Sequence, residues 1–248
     1  MTPRSDAASL AVINCGQLVT LTGPARARRR EELKELSIIR NGGMLVRNGR
    51  IEAMAGTHEI EQQLTPEYQV IDACNQVVLP GFVDAHTHAV FGGTRVEEYE
   101  LRTAGASYQQ IAGAGGGIRS TVRKTRAITE DELLEASRRY WNWFLRSGTT
   151  TVEAKSGYGL SLEDELKMLR VIRRFGYVPT FLGAHEIPDE YRGNRDGYID
   201  LVIDQMLPRA AELAEYCDIF CEPKVFDVPS SRRILAHARA LGFKLRIH

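Results

Sequence analysis

The chain has 248 residues, 43% of them hydrophobic and 26% charged, which is ordinary for a soluble globular protein and enough for a sizeable core. The 32 basic and 32 acidic side chains cancel, so no electrostatic footprint for nucleic acid or an anionic membrane is present, and no apolar run reaches the ~18–20 residues of a membrane helix. Cys15, Cys74, Cys217 and Cys221 are few and scattered, which fits reduced thiols in a cytoplasmic protein better than a disulfide or zinc framework.

Residues 1–14 carry neither a long apolar core nor a cleavage site, so no signal peptide is expected. Residues 11–13 and 17–21 are β-prone. The basic run Arg26, Arg28, Arg29 and Arg30 meets Glu31 and Glu32 and reads as a solvated loop or helix start. Residues 43–47 run into Asn48-Gly49, a two-residue hairpin signal, and 50–54 is the return strand. With a further strand at 69–73, residues 1–79 are expected to form a small N-terminal β-sandwich domain.

Residues 80–248 change character, with strands alternating with helices. A buried strand is expected across 77–85, ending in His86 and His88. A capping box of Thr129 and Glu132 opens a helix that Gly148 closes. A strand at 149–154 follows, then a helix capped by Ser161 and closed by Gly176, and a strand over 178–185. Residues 198–216 are helical but should be kinked or split by Pro208. A strand is expected over 218–226, a helix from Ser230 or Ser231 to about Gly242, and a last strand over 243–248. Repeated βα units argue for an α/β fold with a parallel sheet and right-handed crossovers. Both a doubly wound sheet and a barrel satisfy that pattern. Polar residues recur at strand C-termini: His86 and His88, Lys155, His185, Glu222 and Lys224, and His248. This favours a TIM-like (β/α)8 barrel, whose chemistry sits at that end. Only about five strands are present, so the sequence is expected to continue beyond His248.

His86 and His88 stand two apart on a strand and point to one face. Two convergent imidazoles can hold a transition metal, which wants three or four protein ligands and one exchangeable position. His248 ends the last strand, and a carboxylate is expected from a later one. His185 can hydrogen-bond a substrate or pair structurally with loop backbone. Arg95 can grip a substrate carboxylate in bidentate fashion, although its position alone favours a surface ion pair with Glu97 or Glu98. Tyr158, on a glycine-flanked loop, can touch a ligand or simply pack, and Tyr108 is a weaker candidate. The run from Gly113 to Gly117 lacks the Gly-Lys-Ser/Thr ending of a P-loop and reads as a mouth loop. His58 and His237 look structural.

The segment "IDACNQVVLPGFVDAHTH", preceded by "NGRI", resembles the metal-dependent amidohydrolase superfamily. "HTHAVFGGTRVEEYELR", "AGGGIRSTV", "GTTTVEAKSGYGL", "LGAHEIP" and "LRIH" together resemble its imidazolonepropionase family. That resemblance implies one divalent or trivalent ion, zinc or iron, held by His86, His88 and His248. It implies that Arg95 holds the propionate of 4-imidazolone-5-propanoate. Tyr158 and His185 would meet the ring and its carbonyl, with His185 catalytic and Tyr108 lining the pocket. The implied reaction is hydrolysis of the cyclic amide to N-formimidoyl-L-glutamate. The partner is thus a small molecule, not nucleic acid or membrane, and a homodimer is common in the family. An acidic residue after His248 and a last-strand aspartate have no counterpart here. The rivals are another amidohydrolase acting on a purine or pyrimidine, and a barrel scaffold without catalysis.

Overall fold

The structure, a computed structural model, describes residues 9–107, 110, 115–223 and 225–248. It divides into two compact units, Met1–Gly81 and Phe82–His248. In the first unit, β1 (Ser9–Val19) pairs antiparallel with β2 (Ile38–Arg47), which pairs with β3 (Arg50–Gly56). Asn48 and Gly49 make that hairpin with φ of 53° and 72°, the left-handed pair that a two-residue primed turn requires. A short helix α1 (Thr57–Glu61) leads to β4 (Tyr68–Asp72) and β5 (Val77–Val78), both parallel to β1. Among the described residues the unit is one five-stranded mixed sheet. Ala11, Leu45, Ile60 and Tyr68 form one apolar cluster, and Val12, Cys15 and Leu18 form another. Neighbouring positions of β1 thus feed different clusters, as strand alternation dictates.

The strand expected across 77–85 is two strands. Pro80-Gly81 interrupts it, and β6 (Phe82–Thr87) opens the second unit. Nor is β6 buried: Phe82 and Val83 are 57% and 67% exposed, because among the described residues β6 is an edge strand that pairs with one other strand. Helices α2 (Val96–Thr103), α3 (Ile118–Ala127) and α4 (Glu130–Arg146) follow. Thr129 and Glu132 form the capping box on α4, and Gly148 takes φ 80° beyond its end. Next come β7 (Thr149–Lys155), α5 (Leu162–Arg174) capped by Ser161, and β8 (Val178–Ala184). The helical stretch around Pro208 begins earlier than expected, at α6 (Arg195–Leu201). It passes through a π-helical segment, Val202–Met206, into α7 (Leu207–Ala210). Pro208 sits in the first turn of α7, where its missing N–H costs little.

The next strand is also shifted: β9 is Tyr216–Ile219, not 218–226. Single backbone bonds hold Phe220 and Cys221 to neighbouring segments beyond the strand, and Asp227 caps α8 (Val228–Ala240) by accepting from Ser230 N–H, with Pro229 in its first turn. Glu222 therefore lies in a turn, its carbonyl accepting from Val225 N–H at 2.9 Å; Lys224 lies outside the described residues. β10 (Lys244–Leu245) closes the sequence of strands. Backbone bonds prolong this contact to the last residue, with Arg246 N–H on Cys217 O, His248 N–H on Ile219 O and Cys221 N–H on His248 O. The sheet is all parallel and its order, β6-β7-β8-β9-β10, never reverses. A doubly wound sheet would reverse at a switch point. Helices α4–α8 pack a core of Leu133, Leu166, Leu169, Ile172, Tyr198, Met206 and Ile234 on this sheet.

Candidate active site

The C-terminal ends of the five parallel strands bring together side chains far apart in sequence. His86 leaves β6 near its end and His88 follows just past it. Thr87, between them, turns away and donates to Glu153 O at 2.7 Å. The His86 ring lies 5.9 Å from that of His88 and 4.7 Å from that of His248. His88 stacks on His185 at 4.9 Å, and Tyr158 lies 5.2 Å from His88 and 5.3 Å from His185. Of the residues singled out in the sequence, His86, His88, Tyr158, His185 and His248 thus share one site. Tyr108 lies outside the described residues.

Arg95 immediately precedes α2 and pairs through Nε with Glu98 at 2.8 Å, the ion pair its position favoured. Glu98 also accepts from Gly117 N–H at 2.9 Å. Burial pushes the Tyr158 phenol up, and the Arg95 guanidinium opposes that shift.

Beneath the histidines lies a buried ionic network. Lys155 Nζ sits 2.8 Å from Glu153 Oε1 and 2.7 Å from Asp218 Oδ2, and all three side chains are at most 3% exposed. Asp218 Oδ2 also bonds His248 Nδ1 at 2.9 Å, while Oδ1 accepts from Ile219 N–H. Burial works against the Asp218 charge, but Lys155 and His248 outweigh it and hold its carboxyl below the usual range. A carboxylate only accepts, so Nδ1 of His248 donates in this bond and Nε2 is the ring nitrogen left to face the site. Asp218 and Glu153 are the site residues that sequence reasoning missed. The signals were there: an acid inside the apolar run Tyr216–Ile219, and opposite charges two apart on β7, hence on one face.

Three of the imidazoles, His86, His88 and His185, are pushed toward the neutral form. Burial, then the neighbouring His185 and His86, bring His88 down to about 3. Burial brings His185 down to about 4, with the Gly157 carbonyl opposing. His86 is lowered by burial and by Lys155. Neutral imidazole is the form that ligates metal. One donor atom each from His86, Asp218 and His248 lie within 4.8 Å of one another, the arrangement of a cation site. His88 stands outside that trio, but its Nδ1 is buried without a hydrogen-bond partner among the described residues. A buried imidazole nitrogen with no hydrogen-bond partner, beside two more imidazoles, has the chemistry of a cation ligand.

A one-way parallel sheet gathers these imidazoles at the C-terminal ends of its strands, the end at which parallel α/β folds keep their sites. In fold, 5-methylcytosine deaminase from Klebsiella pneumoniae superimposes with a TM-score of 0.59 over 96% of this chain and 51% of its own, at 17% identity. No protein-family model matches the chain. In sequence the chain is similar to proteins named imidazolonepropionase. It is 58% identical over 246 residues to that of Solibacter usitatus, covering 96% of this chain and 59% of the relative. It is 48% identical over 250 residues to that of Symbiobacterium thermophilum, covering 96% and 58%. The chain thus spans about three fifths of the length of the curated relatives it matches.

Proposed function

We propose that this chain carries the metal- and substrate-binding part of an imidazolonepropionase, which hydrolyses the cyclic amide of 4-imidazolone-5-propanoate to N-formimidoyl-L-glutamate. The observation that carries the proposal is the convergence of His86, His88, His185 and His248 with Tyr158 at one sheet edge. In this reading residues 80–248 are part of a (β/α)8 barrel completed in proteins of the relatives' length. Residues 1–79 contribute to a β-sandwich. A cytoplasmic location and a homodimer belong to the same reading.

His86, His88 and His248 would hold one zinc or iron ion. Bound there, the ion would polarise the ring carbonyl and lower the pKa of water. Asp218 is better suited to orienting than to ligating. Its Oδ2 is already engaged by Lys155 and by His248 Nδ1–H, the arrangement that fixes a ligating imidazole from behind. Arg95 would grip the propionate end-on through Nη1 and Nη2, since Glu98 engages Nε. That grip removes rotational freedom before the ring opens. His185 has its Nδ1 on the Gly157 carbonyl at 2.8 Å. Nε2 therefore presents a lone pair, which can accept a ring N–H or a proton.

The test is turnover, in the full-length protein, of cyclic amides with and without the carboxylate, in wild type and Arg95→Ala. Losing a charge-assisted pair of hydrogen bonds costs about 1.5–3 kcal/mol, or roughly ten- to a hundredfold in KM. That loss is expected for the carboxylated substrate alone. Unchanged KM and kcat would refute the clamp. Preferred turnover of a purine or pyrimidine amine would replace the substrate assignment.

A further inference from the structure

Glu165 is fully buried in the first turn of α5, at the back of the site rather than in it. A carboxylate in such a place needs donors, and the loop between β7 and α5 supplies them. Gly157 N–H reaches both oxygens, at 3.1 and 3.0 Å, and Gly159 and Leu160 N–H reach Oε1, each at 2.8 Å. Ser156, next to this loop, accepts through Oγ from Leu182 N–H at 2.9 Å.

The loop so gathered is one the backbone would not choose. Gly157 has φ 98° and Leu160, a branched side chain, φ 51°. A Cβ on Gly159 would lie 2.5 Å from Glu165 N, so the loop is pressed against the helix that holds it. The loop carries Tyr158, and the peptide carbonyl of Gly157 is the partner of His185 Nδ1.

We propose that Glu165 is a positioning residue: through the N–H groups of Gly157, Gly159 and Leu160 its carboxylate sets the place of Tyr158 and, by way of the Gly157 carbonyl, the tautomer and orientation of His185. The assignment of Tyr158 and His185 to substrate rests on the function proposed above; the coupling itself does not. Burial pushes the Glu165 carboxyl up, against the donors that hold it down. That cost is offset only while the whole set of donors stays in place.

The experiment compares Glu165→Gln, Glu165→Asp and the exposed control Glu163→Gln in the full-length protein. Imidazole 15N shifts report the His185 tautomer, and backbone amide shifts report Gly157, Gly159 and Leu160. Wild type should show His185 protonated on Nδ1 and downfield loop amides. In Glu165→Gln the carboxamide N–H₂ faces backbone donors, so the loop amides should move upfield and the Nδ1–H tautomer should lose its dominance. The Glu163→Gln protein should match wild type. Misplacement of this kind is also expected to lower kcat by about ten- to a hundredfold on whichever cyclic amide the wild type turns over. Loss of Tm alone, with His185 and the loop amides unmoved, would show a merely structural role and overturn the proposal. If Glu165→Gln does not fold, Glu165→Asp decides. Its carboxylate, drawn back by one methylene, should shift the same signals, and wild-type signals there would overturn the proposal. An inactive wild type would refute the substrate assignment while leaving the tautomer readout to judge the coupling.

Discussion

Lys155→Met tests the ionic network beneath the histidines. Methionine keeps most of the lysine volume and removes its charge. The Lys155 ammonium is 1% exposed and lies 2.8 Å from Glu153 and 2.7 Å from Asp218, which are 3% and 1% exposed. Removing it leaves two carboxylates out of water with one cation fewer, since Arg246 Nε approaches Glu153 only to 4.0 Å. Breaking a buried pair from one side costs about 3–5 kcal/mol. In a unit of this size each kcal/mol lowers Tm by about 2–4 °C, so a fall of roughly 6–20 °C is expected. Urea unfolding of metal-free protein in chelator measures it without a contribution from ion binding. Adding Glu153→Gln and Asp218→Asn to Lys155→Met should restore most of the loss, because the penalty lies in the unpaired charges. A loss under about 1 kcal/mol, or no recovery in the triple variant, would refute the reasoning.

Two further expectations concern separate parts of the second unit. Gly157→Ala must place a Cβ 2.9 Å from His185 Nδ1 and 3.0 Å from Leu182 O at φ 98°. A loss of about 1–3 kcal/mol in urea unfolding is expected, and wild-type stability would contradict the loop geometry. Asp227→Ala removes the cap of α8. Ser230, through its N–H and side chain, and then Arg195 hold the Asp227 carboxyl down at about 2, against an ordinary 3.8. A depressed carboxyl adds stability above its unfolded pKa and loses it as pH falls through the folded one. The Tm gap between wild type and Asp227→Ala should therefore be full at pH 6, shrink from about pH 4 and close near pH 2. A gap independent of pH would contradict the assignment.

Much of this was legible in the chain because local chemistry and tertiary need agree there. Asn48-Gly49 can do little but turn a hairpin, and Thr129 with Glu132 can do little but open a helix. The spacing of His86 and His88 places both imidazoles toward the site through strand periodicity alone. Legibility failed where the controlling contact is remote. Residues 220–226 look like strand, yet Asp227 and Pro229 end that option by starting α8. Phe226 is buried in the approach to that helix rather than on the sheet. The end of β9 therefore falls at Ile219, and the residue it delivers is Asp218 instead of Glu222. Glu165 is equally hidden: in the sequence it is one more acid in a helix first turn. Only the folded loop shows its carboxylate facing backbone N–H groups instead of water.

Metal content read together with X-ray absorption on the full-length protein tests the centre most directly. One zinc or iron per chain with imidazole scattering is expected in wild type, and its loss in a His86→Ala, His248→Ala double variant that remains folded. A wild type without stoichiometric metal, or a double variant that retains it, would contradict the account.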